Sequence, residues 1–226
     1  MNLREGGVAD ACSNGVDTGF VDLGYVKVAA LGLAQGITEL LPISSTAHIR
    51  VVPFLFGWRD PGSAFSAAMQ MAALAAVVSY FWKDIRQIAE GSIAAVAARR
   101  WQSRELRLAL GIVIATIPIV IAGAAAAHFL NACATPARAL IVIAVACLVM
   151  SALLALAEIL AVHTRTISDL KLRDALIVGI AQVGALIPGV SRSGSTLTAA
   201  LCLDLKRDEA AGFLSCSDCR PSRWPD

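Results

Sequence analysis

Apolar residues in this chain come in long unbroken runs, without the alternation of a half-buried strand or the stripe of an amphipathic helix. No Asp, Glu, Lys or Arg occurs at 64–82, 108–137 or 139–157. About 20 apolar residues carry a helix across a bilayer, so the pattern predicts spans at 64–82, about 108–128 and 137–160. Two more apolar stretches, 21–58 and 172–205, are interrupted at their centres by proline and polar residues. These polar islands, residues 35–48 and 181–196, do not suit a lipid-facing surface. The prediction is an all-α polytopic membrane protein. A polar extension covers 1–20, a membrane domain 21–214 with repeats at about 21–128 and 137–214, and a polar tail 215–226.

Composition agrees with the pattern. Hydrophobic residues make up 57% and mean hydropathy is +0.69. Charged residues are 16%, against about 25% in an average soluble domain. A net charge of +2, without a basic stripe carrying aromatics, gives no reason to expect nucleic acid. The N-terminus lacks the basic segment, short apolar run and small-residue cleavage site of a signal peptide, so the first membrane segment is expected to direct insertion. Of six cysteines, only Cys216 and Cys219 have CxxC spacing, and no second pair completes a zinc site.

Charge bias orients the segments. The link 83–107 carries Lys83, Arg86, Arg99, Arg100, Arg104 and Arg107, and the link 163–173 is also basic. Both belong on the cytoplasmic side, with the turn 129–138 outside. The second interrupted segment then starts inside and ends inside at Lys206 and Arg207, as a re-entrant hairpin. The first, read the same way, enters and returns from outside. The two are related in sequence: Gly32-Leu-Ala-Gln35 matches Gly179-Ile-Ala-Gln182. After a one-residue offset, Leu40-Leu-Pro42-x-x-Ser45 matches Leu186-Ile-Pro188-x-x-Ser191. Inverted repeats with two re-entrant helical hairpins, broken near the midplane, are a common way to build a polar site in a membrane.

The islands hold reactive groups. Gln35 and Glu39 are one helical turn apart and share a face; Pro42 ends or kinks that helix, and Ser44, Ser45, Thr46 and His48 follow. The second island, Pro188-Gly-Val-Ser191-Arg192-Ser193-Gly-Ser-Thr196, reads as a glycine- and hydroxyl-rich turn opening a helix. A charge in the bilayer core costs roughly 2.5–3.5 kcal/mol on insertion scales, so Glu39 and Arg192 are expected to face each other rather than lipid. One reading is a structural ion pair. The other is a phosphate site, because an Arg beside a Gly/Ser turn at a helix N-terminus offers amide, hydroxyl and guanidinium donors. Opposite it stand a carboxylate, serines able to act as nucleophiles and a histidine able to move protons.

Together the segments 35–48 and 188–196 closely resemble the paired signature motifs of the bacitracin-resistance-type undecaprenyl-diphosphatases. Phe65-Ser-Ala-Ala-Met-Gln70 and Tyr80-Phe-Trp82 resemble that family's next helix, and the likeness runs from about Val21 to Phe213. It implies removal of one phosphate from undecaprenyl diphosphate, regenerating the carrier for peptidoglycan synthesis and conferring bacitracin resistance. It also implies a bacterial cytoplasmic membrane location, a site facing the outer side, and a divalent cation, Mg2+ or Ca2+. Carried onto this chain, Gln35 and Glu39 match the acidic motif, with Gln an accepted variant, and are the candidate metal ligands. Ser45 is the candidate nucleophile, supported by Ser44, and His48 the proton carrier; Gln35, Ser44 and Thr46 are also candidate substrate-binding residues. Arg192, Ser191, Ser193 and Thr196 would cradle the diphosphate. Attack by serine or by activated water both fit. The expected partners are a polyprenyl diphosphate lipid, the bilayer and a second copy in a homodimer.

Two features depart from the family. Ala47 stands where glycine is usual. After Glu209-Ala-Ala-Gly-Phe213-Leu214 the family continues with spanning helices, whereas 215–226 is polar and unpatterned. That switch suggests a truncated or frameshifted second repeat, with lowered stability and activity expected. A transporter or lipid flippase also uses inverted repeats, and an inactive homologue fits the tail; the ordered Ser, His, Glu and Arg set favours hydrolysis.

Overall fold

The computed structural model describes residues 12–13, 16–17, 23–39, 41–130, 139–166, 169–208 and 210. A two-residue antiparallel pairing, β1 (Cys12–Ser13) with β2 (Val16–Asp17), precedes the helices. The remaining extension, the turn at 131–138 and the tail at 215–226 lie outside the described residues. The first interrupted segment is α1 (Gly24–Glu39) and α2 (Ser45–Leu55). Next come α3 (Gly62–Tyr80), α4 (Trp82–Ala97), α5 (Arg104–Leu130) and α6 (Leu140–Leu160). The second interrupted segment is α7 (Leu172–Val183), a 3-10 turn at Gly184–Leu186, and α8 (Arg192–Cys202).

Three of these helices, Gly62–Tyr80, Arg104–Ala127 within α5 and Leu140–Leu160, are long and apolar enough to cross a membrane. They match the three predicted spans. The predicted link 83–107 contains α4, whose Arg86 pairs with Glu90 one turn on at 2.7 Å. The apolar surface is turned outward: Ile112, Val113, Val120 and Ile121 on α5 and Ile141, Leu148 and Ile159 on α6 are exposed. In water such a surface would drive association; in a bilayer it is the solvated face. Polar groups are turned inward instead, with Gln35, Thr38, Ser44, Ser45, Ser191, Ser195 and Thr196 all buried.

Two glycines show why the broken segments sit where they do. A Cβ on Gly179 would stand 2.5 Å from the Ala115 carbonyl oxygen, so its absence lets α7 lie directly on α5. Gly32, its sequence counterpart, is approached by the Met69 side chain on α3 at 3.3 Å from a would-be Cβ. The two first arms therefore each press a glycine against a spanning helix. The break in the second segment needs Gly189 for two reasons: its φ is +99°, and a Cβ would stand 2.7 Å from the Ile143 carbonyl oxygen on α6.

The structure also revises the pairing of the two segments. Ser44 caps α2 and Ser191 caps α8, each accepting from the backbone N–H three residues on, at 3.4 and 3.1 Å. Cap to cap, Ser44 corresponds to Ser191, at the same separation from Gly32 and Gly179 and with no offset. Ser45 then corresponds to Arg192. The sequence pairing of Ser45 with Ser191 aligned residue type over helix position.

At the opposite end of α8 the chain is clasped by Arg165. Its guanidinium bonds the Leu203 carbonyl at 3.1 Å, the Asp169 carbonyl at 3.0 Å and the Asp174 carboxylate at 2.5 Å. Its backbone bonds Asp204 and Lys206, both at 2.9 Å. One residue thus ties the link after α6 to the start of α7 and the end of α8.

These contacts make unequal demands on glycine. Gly179→Ala should cost about 1–3 kcal/mol through overpacking on α5. Gly36→Ala, with nothing within 4 Å of its would-be Cβ, should be neutral or slightly stabilising. Thermal unfolding of the two variants in detergent checks this, and equal melting temperatures would contradict the close-approach argument.

Candidate active site

The two breaks meet. A small polar cavity of about 40 Å³ is lined by Glu39, Ser44, Ser45 and Thr46 from the first segment and Val190, Ser191, Arg192 and Ser193 from the second. Thr38, Gln70 and Ala185 complete the wall. Ser193 Oγ donates to the Leu41 carbonyl at 3.2 Å, joining the breaks directly. Leu41 lies past the last turn of α1, where carbonyls lose their intrahelical donors.

Both α2 and α8 start at this cavity. The first N–H groups of a helix have no intrahelical acceptor, and the aligned peptide dipoles leave partial positive charge there. The two caps each satisfy one such donor, leaving the neighbouring donors at both helix starts. Arg192, at the first position of α8, is exposed and adds a full positive charge. Two helix N-termini and a guanidinium on one cavity make an anion site, and phosphate suits its donors.

On the other wall, the Glu39 Oε2 accepts from Ser45 Oγ at 2.6 Å and from Gln35 Nε2 at 2.7 Å. A hydroxyl donating to a carboxylate at this distance is in the geometry for proton removal. Among the described residues no ion pair joins Glu39 to Arg192. Each lines the cavity, so the expected pairing becomes two opposed walls with room between them. Ser44 holds φ +59°, a region that a residue with a Cβ rarely adopts. Its carbonyl is thereby presented to His48 Nδ1 at 2.9 Å. A carbonyl has no proton to give, so Nδ1 donates the hydrogen of this bond.

Three expected site residues stand behind the wall. Gln35 is 1% exposed and reaches the cavity through Glu39. His48 is half-buried one turn into α2. Thr196 is buried, with its hydroxyl on the Arg192 carbonyl at 3.0 Å, and so supports the turn that carries Arg192. Thr38 and Gln70 were not expected. The signal for Gln70 was its side chain, the sole carboxamide in the span 64–82. Thr38 gives no such signal, because its hydroxyl bonds the Ala34 carbonyl at 2.7 Å, as an ordinary helical threonine does.

The donor set suits a divalent cation in one respect. Gln35 Oε1 is buried with no hydrogen-bond partner, and an orphaned carbonyl oxygen beside a carboxylate is a ligand pair for a hard cation. Among the described residues no group of three or more His, Cys, Asp or Glu could hold a metal. Mg2+ commonly binds through one or two protein oxygens, with water and substrate phosphate supplying the rest.

These features define a class: a helical membrane protein whose polar centre is assembled where two broken segments resume as α2 and α8, opposite a carboxylate–serine pair. The chain belongs to the bacitracin resistance protein BacA family, whose model matches residues 28–215. It is 66% identical over 179 residues to undecaprenyl-diphosphatase 2 of Mesorhizobium japonicum, covering 79% of this chain and 68% of that one. It is 53% identical over 191 residues to the undecaprenyl-diphosphatase of Gloeobacter violaceus, covering 84% and 66%. With the Trichormus variabilis undecaprenyl-diphosphatase identity is 46% over 207 residues, covering 91% and 65%. The chain spans about two thirds of the length of these relatives.

If Gln35 and Glu39 hold a cation, Mg2+ should raise the melting temperature of the detergent-solubilised chain. Gln35→Leu, which removes the orphaned oxygen at similar volume, should fold and lose that increase, as should Glu39→Gln. A Mg2+ shift that persists in both variants would remove them as ligands.

Proposed function

We propose that this chain hydrolyses undecaprenyl diphosphate to undecaprenyl phosphate and phosphate, the activity for which its relatives are named. The observation that carries the reading is the convergence of two helix N-termini and Arg192 on the cavity that holds the Glu39–Ser45 pair. Such a site neutralises a diphosphate and supplies a nucleophile and a proton acceptor, the parts that phosphoryl transfer requires.

The chemistry follows from the geometry. Backbone N–H groups at the starts of α2 and α8 bind the terminal phosphate, and the Arg192 fork takes two of its oxygens. Ser45 Oγ attacks phosphorus while its proton passes to Glu39. The bond from phosphorus to the bridging oxygen breaks, and undecaprenyl phosphate leaves. His48, with Nδ1 fixed on the Ser44 carbonyl, moves protons through Nε2. Water then cleaves the phosphoserine, returning the Ser45 hydroxyl and releasing phosphate. A water activated by Glu39 gives the same products without the covalent step. A bound Mg2+ or Ca2+ on Glu39 and Gln35 would neutralise phosphate charge.

Membership of the BacA family supports a place in the bacterial cytoplasmic membrane with the site opening to the outer side, and charge bias puts the links 83–107 and 163–173 on the cytoplasmic face. There the reaction returns the lipid carrier to peptidoglycan synthesis. Lowering the diphosphate pool accounts for the bacitracin resistance in the family's name.

Phosphate release from undecaprenyl diphosphate in proteoliposomes tests the proposal. Glu39→Gln should lower kcat by about 10²–10⁴-fold, the range of a lost general base. Arg192→Ala should lower it by about 10²–10³-fold, as when one preorganised charge-stabilising donor is removed. Release that survives both substitutions, or its absence while labelled lipid crosses the bilayer, would overturn the assignment. Acid-quenched enzyme should carry phosphate on Ser45; turnover by Ser45→Ala near the unsubstituted rate would assign the attack to water.

A further inference from the structure

Beside the polar cavity lies a much larger one with almost wholly apolar walls, about 770 Å³ in volume. α6 and α7 each pack against α8 and barely touch each other, so the cavity is a gap between two helices floored by a third. Ile141, Val145, Val149 and Leu153 face it from α6, four residues apart in turn and hence on one stripe. Ile177 closes it from α7.

The gap borders the candidate active site, because Val190 lines both cavities. Two residues further on, Arg192 opens α8, so the apolar wall gives way to the anion site within one turn. The hydroxyls at the floor are already satisfied: Ser195 donates to Met150 Sδ at 3.7 Å and Thr198 to the Gly194 carbonyl at 2.8 Å. The gap therefore makes no unmet polar demand on a hydrocarbon occupant. From Ile141 to Leu153 the stripe runs about 18 Å at 1.5 Å per residue, more than half of a ~30 Å hydrocarbon core.

We infer that this gap is the binding groove for the first isoprene units of the lipid diphosphate, which enters sideways from the bilayer between α6 and α7. The inference rests on the function proposed above. The headgroup lies past Val190 under Arg192, the proximal chain lies along the α6 stripe, and the distal chain stays in the membrane. Chain length then affects binding only until the groove is full.

Groove-filling substitutions test this without touching the polar site. Val149→Trp and Ile177→Trp, both at exposed positions, should raise KM for undecaprenyl diphosphate about tenfold, the loss expected when roughly two buried CH2 groups are displaced. Turnover of farnesyl diphosphate at saturation should stay within twofold, since the polar site is intact. Equal effects on kcat for both substrates, or no effect on either, would overturn the groove. A second readout does not need turnover: a polyprenyl monophosphate with a diazirine on its first isoprenes should label the α6 peptide containing Val145 and Val149. Val149→Trp should abolish that label, and a diacyl phospholipid carrying the same diazirine should not reproduce it. Labelling elsewhere, or equal labelling by the phospholipid, would contradict the groove. Labelling at the groove with no diphosphate hydrolysis would instead sink the proposed reaction and leave a lipid-phosphate binding site.

Discussion

A helix that stops inside a membrane must find partners for its end groups from protein, since lipid offers none. This chain stops two helices there. Ser44 and Ser191 each cap the helix that resumes, and Ser193 bonds the Leu41 carbonyl across the gap. The residues that carry the remaining amide donors at the two helix starts line a shared cavity. Satisfying the broken backbone and creating an anion site are thus one arrangement. The rest of the fold serves it: Gly179 lets α7 lie against α5, Gly189 lets the second break pass Ile143, and Arg165 ties the opposite end of α8 to the preceding link.

The cap-to-cap correspondence gives the two segments different roles in one plan. At the position after the cap stands Ser45 in one copy and Arg192 in the other. In the proposed reaction one copy supplies the nucleophile, with Glu39, its hydrogen-bond acceptor, taking the proton, and the other supplies the cation that holds the phosphate. Both helix starts line one cavity, so neither segment alone makes a site.

Much of this was legible in sequence. The three uncharged runs became the three spanning helices, because a bilayer tolerates little else. The islands at 35–48 and 181–196 became the two breaks, because proline, glycine and hydroxyl residues do not belong on a lipid face. Gln35 and Glu39 share a face of α1, as their spacing predicted, and are hydrogen-bonded there. What sequence could not show depends on distance across the fold. An ion pair between Glu39 and Arg192 was the simplest expectation for two charges within apolar sequence, yet Gln35 and Ser45 satisfy the carboxylate instead. Gln70 enters from a spanning helix far along the chain, and only packing places it at the cavity. The register of the repeat also needed the caps themselves, since Ser44 and Ser45 are identical in type.

The central claim is that two segments form one chemical unit. A double-mutant cycle on phosphate release from undecaprenyl diphosphate, combining Ser45→Ala with Arg192→Ala, tests it most directly. Residues acting as a unit are strongly non-additive, so the double variant should be within a fewfold of the slower single variant. Losses that multiply, as for independent sites, would contradict the account.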